Sequence, residues 1–585
     1  MIGRLMERTE ARAALAFLSR PATAGPILIF LLAGFAFAPL LRGGMILTAD
    51  NLHAWRIYEL GRCLDDGQLP CRWVPDLGNG YGFPLFNYYP PFPYYVGDLL
   101  HRLGLSYLRA ADALFLIGVV GAGLSMFTLA RRLWGDLGGL VSAVAYMYAP
   151  YLALDIYMRG ALAELWGLAL APALFWAVYE LVTSGKGRYV PLVALFTGLI
   201  LLSHSLMAVI LAPAVAIWAA VLLLGRSERR RPALLATAGA TWGIGLAAFF
   251  ALPVLTEGFA VQLDSVSEWP LRYSDHFASV SELFFTRSAD YSFLLGIRDD
   301  TVLQIGWFHW ALAGLSVPVG LLLWRSGQRA AASAVGVFVL LFAIGVFMAV
   351  SVSEGVWDTF DSLRFLQVPW RYLGLVSLAA AALAGAGLLL LRERPAWLQL
   401  GAAAGLVGLF IGSGVMFHQP LYRFEVSEAE IFAGDYFPDL YRAGSITDYL
   451  PESVDVIPPE PPDQPARVIG GPARVSAATT GSDWLSLRVE AQGPARVEAA
   501  LFDYPNWQVR VNGRTVAHYA SSPHGLITFT VPAGDNDVEL RLEDTKARRF
   551  GERLSLLSWG ALALSGPAML LAPRVRRWAP GSGSE

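Results

Sequence analysis

Asp50 and His53 are the first residues whose types and spacing could perform chemistry. They lie three positions apart in LTADNLHAWRIYELGR, so a helix that begins here would place both side chains on one face. A carboxylate in such a position can serve as a general base or as a metal ligand. An aspartate that precedes a helix is also a common N-cap, which accepts backbone N–H groups without any chemistry. The residues alone leave both interpretations open.

An aromatic loop follows, with the sequence RWVPDLGNGYGFPLFNYYPPFPYY, whose glycines and prolines preclude a regular helix. Its rings are flat and amphipathic, which suits stacking against a sugar or anchoring at a membrane interface. Trp73, Tyr88 and Tyr89 are therefore candidate binding residues. The alternative is an aromatic belt that contacts no ligand.

A second set of polar residues lies at one end of the apolar segments described below. Burying such side chains in hydrocarbon is costly, so their position is informative. Each member alone is better explained as a snorkelling or paired residue. Because they occur at one depth on separate segments, we expect several of them to converge on one outward-facing cavity. The members are Asp155, Arg159, Glu164, His204, Gln304, His309, Arg364, Gln367 and Arg371.

The elements that must position these side chains are strongly apolar. Of the 585 residues, 55% are hydrophobic and only 16% are charged, and the mean hydropathy is +0.48. This is far from the balance of a soluble domain of the same length. The formal net charge of -3 offers no basic surface to nucleic acid, which is not expected as a partner.

Twelve apolar runs are long enough, or nearly so, to cross a membrane as helices. They lie at 25–41, 110–130, 137–154, 161–182, 190–204, 206–224, 233–254, 304–324, 331–350, 370–391, 397–416 and 554–573.

Basic residues in the connections set the orientation of these segments. Seven clusters fall on one side, the cytoplasmic side, if there are twelve spans and both termini are inside. The stretch 91–104 is too short and too polar to be a thirteenth span, so we predict that it is a helix lying on the outer leaflet. The clusters are Arg4, Arg8 and Arg12; Arg131 and Arg132; Lys186 and Arg188; Arg226 and Arg229 to Arg231; Arg325 and Arg329; Arg392 and Arg394; and Arg574, Arg576 and Arg577.

Three outer segments, 42–109, 255–303 and 417–553, are too long to be turns. The third shows period-two alternation around residues 485–489 and 507–511 and contains Asn512-Gly513, a typical hairpin signal. We therefore predict a mostly α, polytopic membrane protein with about twelve transmembrane helices and a C-terminal extracytoplasmic β-sandwich-like domain.

The domain boundaries follow from the same segments. Residues 1–416 are expected to form the transmembrane domain and 417–553 the β-rich domain, while 554–585 supply the last helix and a cytoplasmic tail. The β-rich domain is expected to lie over the cavity as a lid or as a surface for acceptor docking.

The chain has two cysteines, Cys63 and Cys71, which flank CLDDGQLPC. Both belong to the first outer segment, where disulfides can persist. A bridge between them is predicted, with two free buried thiols as the alternative.

Several motifs carry a resemblance to a known group. The stretches TADNLHAWRIYEL, GQLPCRWVPDLGNGYGFPLFNYYPPFPYY, FLQVPWRYLG, TDYLPE and LFDYPNWQVRVNG resemble a bacterial branch described as 6-pyruvoyl-tetrahydropterin synthase-related membrane proteins. An acidic residue soon after the first span, an interfacial-helix loop and a late extracytoplasmic domain resemble the GT-C superfamily of glycosyltransferases. The likeness covers most of the chain, and nothing in it resembles a soluble pterin enzyme.

This resemblance implies an inverting membrane glycosyltransferase that uses a polyprenyl-phosphate sugar donor and a cell-envelope acceptor. Asp50 matches the superfamily's first-loop acidic residue, which implies a general base or metal-linked orientation of the acceptor. Asp155 and Glu164 both lie near the place of the second acidic residue, and neither sits in a diagnostic motif. A divalent metal ion as cofactor is therefore left open, and the metal ligands are not identified.

The remaining candidate residues receive roles from the chemistry. Arg159, Arg364 and Arg371 are expected to stabilise the lipid-phosphate leaving group. His53, Trp73, Tyr88, Tyr89, Glu164, His204 and Gln367 complete the predicted substrate site.

A second hypothesis assigns the chain to non-catalytic binding or transport of a lipid or glycolipid. Transporters place polar groups near the bilayer midplane on interrupted helices. Here the polar groups gather at one face, which favours the transferase. In either case the expected partners are membrane lipids, and the expected location is the bacterial inner membrane. The chain has no P-loop, GxSxG or HExxH motif, which argues against ATP-driven and common hydrolase functions.

The predicted orientation can be tested by labelling single cysteines with a membrane-impermeant reagent on intact cells. In a cysteine-free background, a cysteine at Ser522 should react and one at Ser184 should be protected, because the β-rich domain is predicted outside and Ser184 inside. The reverse pattern would refute both the orientation and the shared outer site.

Overall fold

The computed structural model describes residues 21–263, 272–286, 303–432 and 449–571. Apolar helices make up most of these residues. They are α1 (Pro21–Phe37), α2 (His53–Asp65), α3 (Leu85–Tyr88), α4 (Phe92–Arg102), α5 (Tyr107–Met147), α6 (Pro150–Tyr157), α7 (Leu162–Ser184), α8 (Val190–Ser203), α9 (Ser205–Leu224), α10 (Arg230–Leu246), α11 (Ala248–Thr256), α12 (Val280–Phe285), α13 (Trp307–Arg325), α14 (Arg329–Ala349), α15 (Glu354–Thr359), α16 (Leu373–Ala384), α17 (Ala396–Gly414), α18 (Glu428–Phe432) and α19 (Lys546–Leu571).

Eight helices among the described residues are long and apolar enough to cross a membrane, and the number becomes nine if α10 and α11, bent by 76°, form one span. Each predicted apolar run coincides with helix, although α8 has only 14 residues. In the run predicted at 370–391, the α-helix α16 is flanked by the 3-10 turns Pro369–Tyr372 and Ala386–Leu391. The total of twelve spans stays a prediction.

Helix α5 is two antiparallel helices joined at Gly135. If it were straight, its 41 residues would extend for about 60 Å. Gly135 instead has φ 84° and ψ 178°, which breaks the helix. Gly123 and Met147 lie on opposite sides of Gly135, each twelve residues away from it. The Met147 sulfur is so close to Gly123 that a Cβ on Gly123 would collide with it. The runs predicted at 110–130 and 137–154 are therefore separate helical segments that pack on each other.

The predicted cytoplasmic clusters meet at one end of the helices. Arg132, beside the Gly135 break, forms an ion pair of 2.6 Å with Glu180 near the end of α7. Arg226 donates to the carbonyl oxygen of Thr183 at 2.5 Å. Three of the basic connections thus lie together, as the alternation of charge predicts.

The chain after α17 forms two packed antiparallel sheets. Their strands are β3 (Ala466–Gly470), β4 (Ala473–Thr480), β5 (Trp484–Ala491), β6 (Ala495–Phe502), β7 (Trp507–Val511), β8 (Arg514–Val516), β9 (His518–Ser521), β10 (Leu526–Val531) and β11 (Gly534–Leu542), preceded by the short β1 (Met45–Ile46) and β2 (Arg423–Phe424). The sheet orders are β3-β6-β10-β9 and β4-β5-β11-β7-β8.

The side chains of these strands alternate as the sequence predicts. Leu485, Leu487 and Val489 are buried between the sheets. Asn512 and Gly513, with φ of 50° and 76°, form the two-residue turn between β7 and β8. The sandwich-like prediction is therefore confirmed for this region.

The three predicted outer segments contact one another. Strand β1 pairs with β2, so the chain after α1 meets the chain after α17. The amide of Phe502 donates to the carbonyl of Tyr81 at 3.0 Å, and the amide of Gln262 donates to that of Leu450 at 3.0 Å. Segments that touch must lie on one side of the membrane, so an even number of spans separates residue 45 from residue 424. Helix α4, only 11 residues long, is too short to make the stretch 91–104 a thirteenth span.

A buried ion pair fastens the sandwich and the last helix to the transmembrane part. Arg548 of α19 donates from Nη2 and Nε to Glu257 Oε2 at 2.6 and 2.9 Å. Glu257 also accepts from Thr545, and Tyr504 of the sandwich bonds to the hydroxyl of Tyr88 at 2.9 Å. Burial raises the pKa of Glu257, but attraction to Arg548 outweighs it and leaves the pKa below its usual range.

Replacing Arg548 with alanine should strongly destabilise the protein, because it leaves Glu257 buried without its partner. We expect a loss of about 3–5 kcal/mol, seen as a lower melting temperature in detergent. Arg488→Ala is the matched control, since the Arg488–Asp537 pair is 60% and 74% exposed and should contribute less than about 1 kcal/mol. Equal melting of the two variants would contradict this assignment.

Cys63 and Cys71 form a disulfide in the structure, with Cα atoms 5.4 Å apart. Both residues are buried beside Trp73. We predict that protein taken from its native membrane has a mass consistent with one bridge and resists alkylation until it is reduced. Alkylation of both thiols in denatured, unreduced protein would show that the cysteines are free in the cell.

Candidate functional site

Asp50 lies just before α2, in the connection that follows β1. Its Oδ1 accepts the amide of Leu52 at 3.3 Å, and its Oδ2 accepts Nη1 of Arg56 at 2.7 Å. The N-cap of α2 is Leu52 and not Asp50, so the capping interpretation accounts for only one local hydrogen bond. The Asp50 side chain is 26% exposed, so it lies at the edge of the buried region.

His53 and Arg56 lie on the face of α2 that Asp50 faces. His53 Nδ1 lies 3.1 Å from the Tyr94 hydroxyl, and its Nε2 lies 2.6 Å from the carbonyl oxygen of Gly160. Arg56 is fully buried, and its guanidinium lies 4.4 Å from the centre of the Tyr89 ring. The helical spacing of three residues therefore places His53 and Arg56 on one face of α2, where the guanidinium binds the carboxylate and the imidazole binds Tyr94 and Gly160.

A second charged network is centred on Glu164, at the first turn of α7. Its Oε2 accepts Nη1 of Arg159 at 3.0 Å and Nε of Arg371 at 3.1 Å. Its Oε1 accepts the Tyr151 hydroxyl at 2.5 Å. Arg159 also pairs with Asp155 Oδ1 at 2.5 Å. Two buried carboxylates are thus balanced by two arginines, as burial of charge requires.

The remaining members of this network come from two other helix ends. His204 is the N-cap of α9, where its Nδ1 accepts the amide of Met207, and its Nε2 lies 3.9 Å from Glu164. Arg371 donates to the carbonyl of Leu366 at 2.6 Å and to Gln367 Oε1 at 3.3 Å. All three donor nitrogens of Arg371 are therefore engaged by the protein.

The Asp50 and Glu164 networks are joined through the backbone of residues 158–160. The amide of Asp50 donates to the carbonyl of Arg159, and the amide of Ala49 donates to that of Met158, both at 2.9 Å. Gly160 has φ 63°, and a Cβ there would collide with Thr48 and the Asp50 carbonyl. This close approach requires glycine. The backbone segments that carry Asp50 and Arg159 are therefore bonded directly to each other.

Electrostatics keep Asp50 ionised. Burial raises the pKa of its carboxyl, but attraction to Arg56, together with the hydrogen bonds from Arg56 and the Leu52 amide, outweighs burial, so the pKa falls below the ordinary 3.8. Burial lowers the pKa of His53, which keeps its imidazole neutral at physiological pH. A carboxylate with a lowered pKa loses its charge only as the pH falls through that pKa, so Asp50 can accept hydrogen bonds at any pH in the physiological range.

Some predicted residues lie elsewhere. Trp73 is fully buried, with its ring 5.5 Å from that of Trp507, and Tyr88 is buried against Tyr504 and Glu257. The expectation that Trp73 and Tyr88 line a sugar site does not fit these positions, because their rings form the interface between the aromatic loop and the sandwich. Of the predicted rings, only Tyr89 borders Asp50.

Two further members of the predicted group do not join the network in the described residues. Arg364 pairs with Asp361 at 3.2 Å on the surface. His309 bonds to the carbonyl of Ala145 at 2.8 Å and packs on Phe410. The roles assigned to the other residues of the group stay predictions.

The described residues do not offer a metal site. They contain no group of three or more His, Cys, Asp or Glu side chains placed to hold an ion. Asp50 is paired with Arg56 and not with a second carboxylate. These side chains do not fit a divalent cation.

Three residues of the site were not anticipated from the sequence. Arg56 and Tyr94 surround Asp50 and His53, and Tyr151 binds Glu164. The spacing of Asp50, His53 and Arg56 contained a usable signal, because a second helical step of three residues follows the first. Tyr94 and Tyr151 carried no such signal, since buried tyrosines are common in apolar helices.

Comparison with known proteins shows the family. The model of a membrane protein domain described as 6-pyruvoyl-tetrahydropterin synthase related matches residues 86–413, more than half of the chain. An uncharacterised protein of Lactococcus lactis subsp. cremoris (strain MG1363) is 23% identical over 238 residues, which are 39% of this chain and 39% of the relative.

Two solved structures are similar at low identity. The arabinofuranosyltransferase AftD from Mycobacteria has 14% identity and a TM-score of 0.46, over 71% of this chain and 28% of AftD. The Archaeoglobus fulgidus oligosaccharyltransferase has 12% identity and a TM-score of 0.44, over 76% of this chain and 61% of that enzyme. The chain thus spans less than two thirds of each of these proteins.

The match over residues 86–413 includes the α5 hairpin and the Glu164 network, together with most of the described transmembrane helices. The chain therefore belongs to the family of membrane proteins described as 6-pyruvoyl-tetrahydropterin synthase related.

Proposed function

We propose that the protein is an inverting glycosyltransferase of the bacterial inner membrane that moves a sugar from a polyprenyl phosphate to a cell-envelope acceptor. The observation that carries the proposal is the join between Asp50 and Arg159. The backbone amide of Asp50, whose side chain is ionised and partly exposed, bonds to the backbone carbonyl of Arg159, whose side chain is also partly exposed, where the predicted outer segments meet. A proton acceptor and a cation carried on two adjoining backbone segments suit a reaction that releases a phosphate.

Asp50 supplies the base of this reaction. The acceptor hydroxyl attacks the anomeric carbon, an O–C bond forms, and the bond from that carbon to the phosphate oxygen of the lipid breaks. The hydroxyl proton passes to Asp50, and both electrons of the broken bond leave with the lipid phosphate. Displacement from the opposite face inverts the anomeric centre. A positioned base of this kind contributes about 100- to 10,000-fold.

Arg159 is the best placed of the three arginines to bind the leaving phosphate. Its side chain is 16% exposed, and Nη1 makes all of its side-chain hydrogen bonds within the described residues. Nε and Nη2 remain for a ligand. Arg371 is only 7% exposed and each of its three nitrogens is bonded within the protein, so its part is to hold Glu164.

An apolar groove gives the lipid chain a path to this site. The groove has a volume of about 290 Å³ and runs between α5, α7 and α8. The hydroxyls of Ser125 and Thr128 in its wall bond to carbonyls of their own helix, so the wall presents no free polar group there. Trp166, at its edge, is two residues from Glu164 and packs on Phe92. A hydrocarbon chain in the groove would direct its phosphate towards the Glu164 network.

The rival function, binding or transport without catalysis, gains one argument from the same geometry. The Arg56 partner lowers the pKa of Asp50 and therefore weakens it as a base. A pure binder needs the charges of the site but not proton transfer. The substitution that separates the two functions is one that removes basicity and preserves shape.

Asp50→Asn should preserve folding and remove transfer, because it deletes the base with almost no change in volume. Cells that lack the protein should lose one envelope glycan in a mass-spectrometric analysis of envelope sugars. Wild-type protein should restore that glycan, and the Asn variant should restore less than about 1% of it.

Asp76→Asn is the matched control, since Asp76 lies in the same outer segment and also pairs with an arginine, Arg62. It should restore the glycan fully. Full restoration by Asp50→Asn would eliminate the base role and favour a binder. An unchanged set of glycans in cells that lack the protein would contradict glycosyl transfer altogether.

A further inference from the structure

Arg56 has more hydrogen-bonding capacity than the fold uses. Its side chain is 1% exposed, and Nη1 donates to Asp50 Oδ2 at 2.7 Å. Its Nε and Nη2 are buried and have no hydrogen-bond partner within the described ranges. Burying a guanidinium with unpaired donors is costly, so a helix that needed only packing would carry an apolar residue here.

Aromatic groups hold Arg56 in place from two directions. The guanidinium lies 4.4 Å from the centre of the Tyr89 ring and 5.9 Å from that of Tyr94. The Tyr94 hydroxyl lies 3.3 Å from Nη1 and also 3.1 Å from His53 Nδ1. An arginine stacked on rings loses little freedom when it forms a hydrogen bond, because its planar group is already oriented.

We propose that Arg56 is the positioning residue of the site, holding the Asp50 carboxylate in the orientation in which it receives a proton. This inference rests on the proposed function. Asp50 Oδ1 is tied to the amide of Leu52 and Oδ2 to Arg56, so the carboxylate cannot rotate. Arg56 itself is too deeply buried to touch substrate. Its effect reaches the reaction only through Asp50.

The charged and titratable groups that face Asp50 come from several elements. Arg56 and His53 come from α2, Tyr89 follows α3, and Tyr94 belongs to α4. His53 is neutral, and burial raises the pKa of Tyr89 and of Tyr94, so neither tyrosine carries a charge at neutral pH. Arg56 is therefore the cation that sets the ionisation of Asp50.

The test measures the ionisation of Asp50 without an activity assay. A water-soluble carbodiimide reacts with protonated carboxyl groups. Peptide mass spectrometry of the purified full chain then measures the extent of Asp50 modification as a function of pH. In wild-type protein, Asp50 should react only at acidic pH. In the Arg56→Gln variant, the modification of Asp50 should begin at a higher pH, because the carboxylate remains partly buried and loses its neighbouring cation. Arg488→Gln, a surface substitution, should leave the onset unchanged.

Arg56→Lys tests orientation separately from charge. Lysine keeps the positive charge but lacks the planar fork, so the onset should stay close to that of wild type. Glycan restoration in cells should nevertheless fall about 100-fold, as misplacement of a base predicts. The melting temperature of each variant shows whether the fold is intact. If Arg56→Gln does not fold, the lysine variant alone decides.

Two results would overturn the inference. One is a folded Arg56→Gln protein whose Asp50 reacts at the same pH as in wild type. The other is an Arg56→Lys protein that restores the glycan fully. Either result, together with an inactive Asp50→Asn variant, would refute the role of Arg56 and leave the proposed transfer intact. A fully active Asp50→Asn variant would refute the transfer mechanism itself.

Discussion

Charge that is buried near a membrane must be paired, and much of this structure follows from that constraint. Removing one partner of a buried ion pair leaves an uncompensated charge, which costs several kcal/mol. Among the described residues, Asp50 meets the condition with Arg56, Glu257 with Arg548, Asp155 with Arg159, and Glu164 with both Arg159 and Arg371. The Glu164 and Glu257 pairs join segments that are far apart in the sequence, so pairing the charge also determines which helix ends meet.

Charge pairing also gives the two parts of the site different properties. Glu164 is enclosed, and the arginines on it balance its charge, so this network has the properties of a structural hub. Asp50 and Arg159 each keep an accessible side because they lie at the edge of the hub and not in its centre. Accessible groups supported by a rigid, neutral centre are the arrangement that preorganised electrostatic stabilisation requires.

The β-sandwich is attached more tightly than a mobile cover would be. Gln68 bonds to Ser482, Tyr81 stacks on Phe502, and Trp73 packs on Trp507. The interface between aromatic loop and sandwich is thus a buried aromatic core. Such contacts favour a fixed docking surface over a lid that opens, because opening would expose the rings to water. The aromatic residues of the loop, which resembled a binding surface, are used for this attachment.

Hydrophobic run length, the alternation of charge and the Asn512-Gly513 turn are local properties, and local properties determined much of this protein from the sequence alone. They located the helices, the sheet region and the end of the bundle where Glu164, His204 and Arg371 meet. They could not show that Arg56 pairs with Asp50 or that Trp73 is enclosed, since both depend on packing between distant segments. The partner of a buried charge is chosen by three-dimensional proximity. Only the tertiary structure decides which arginine neutralises which carboxylate and which of these side chains stay partly exposed.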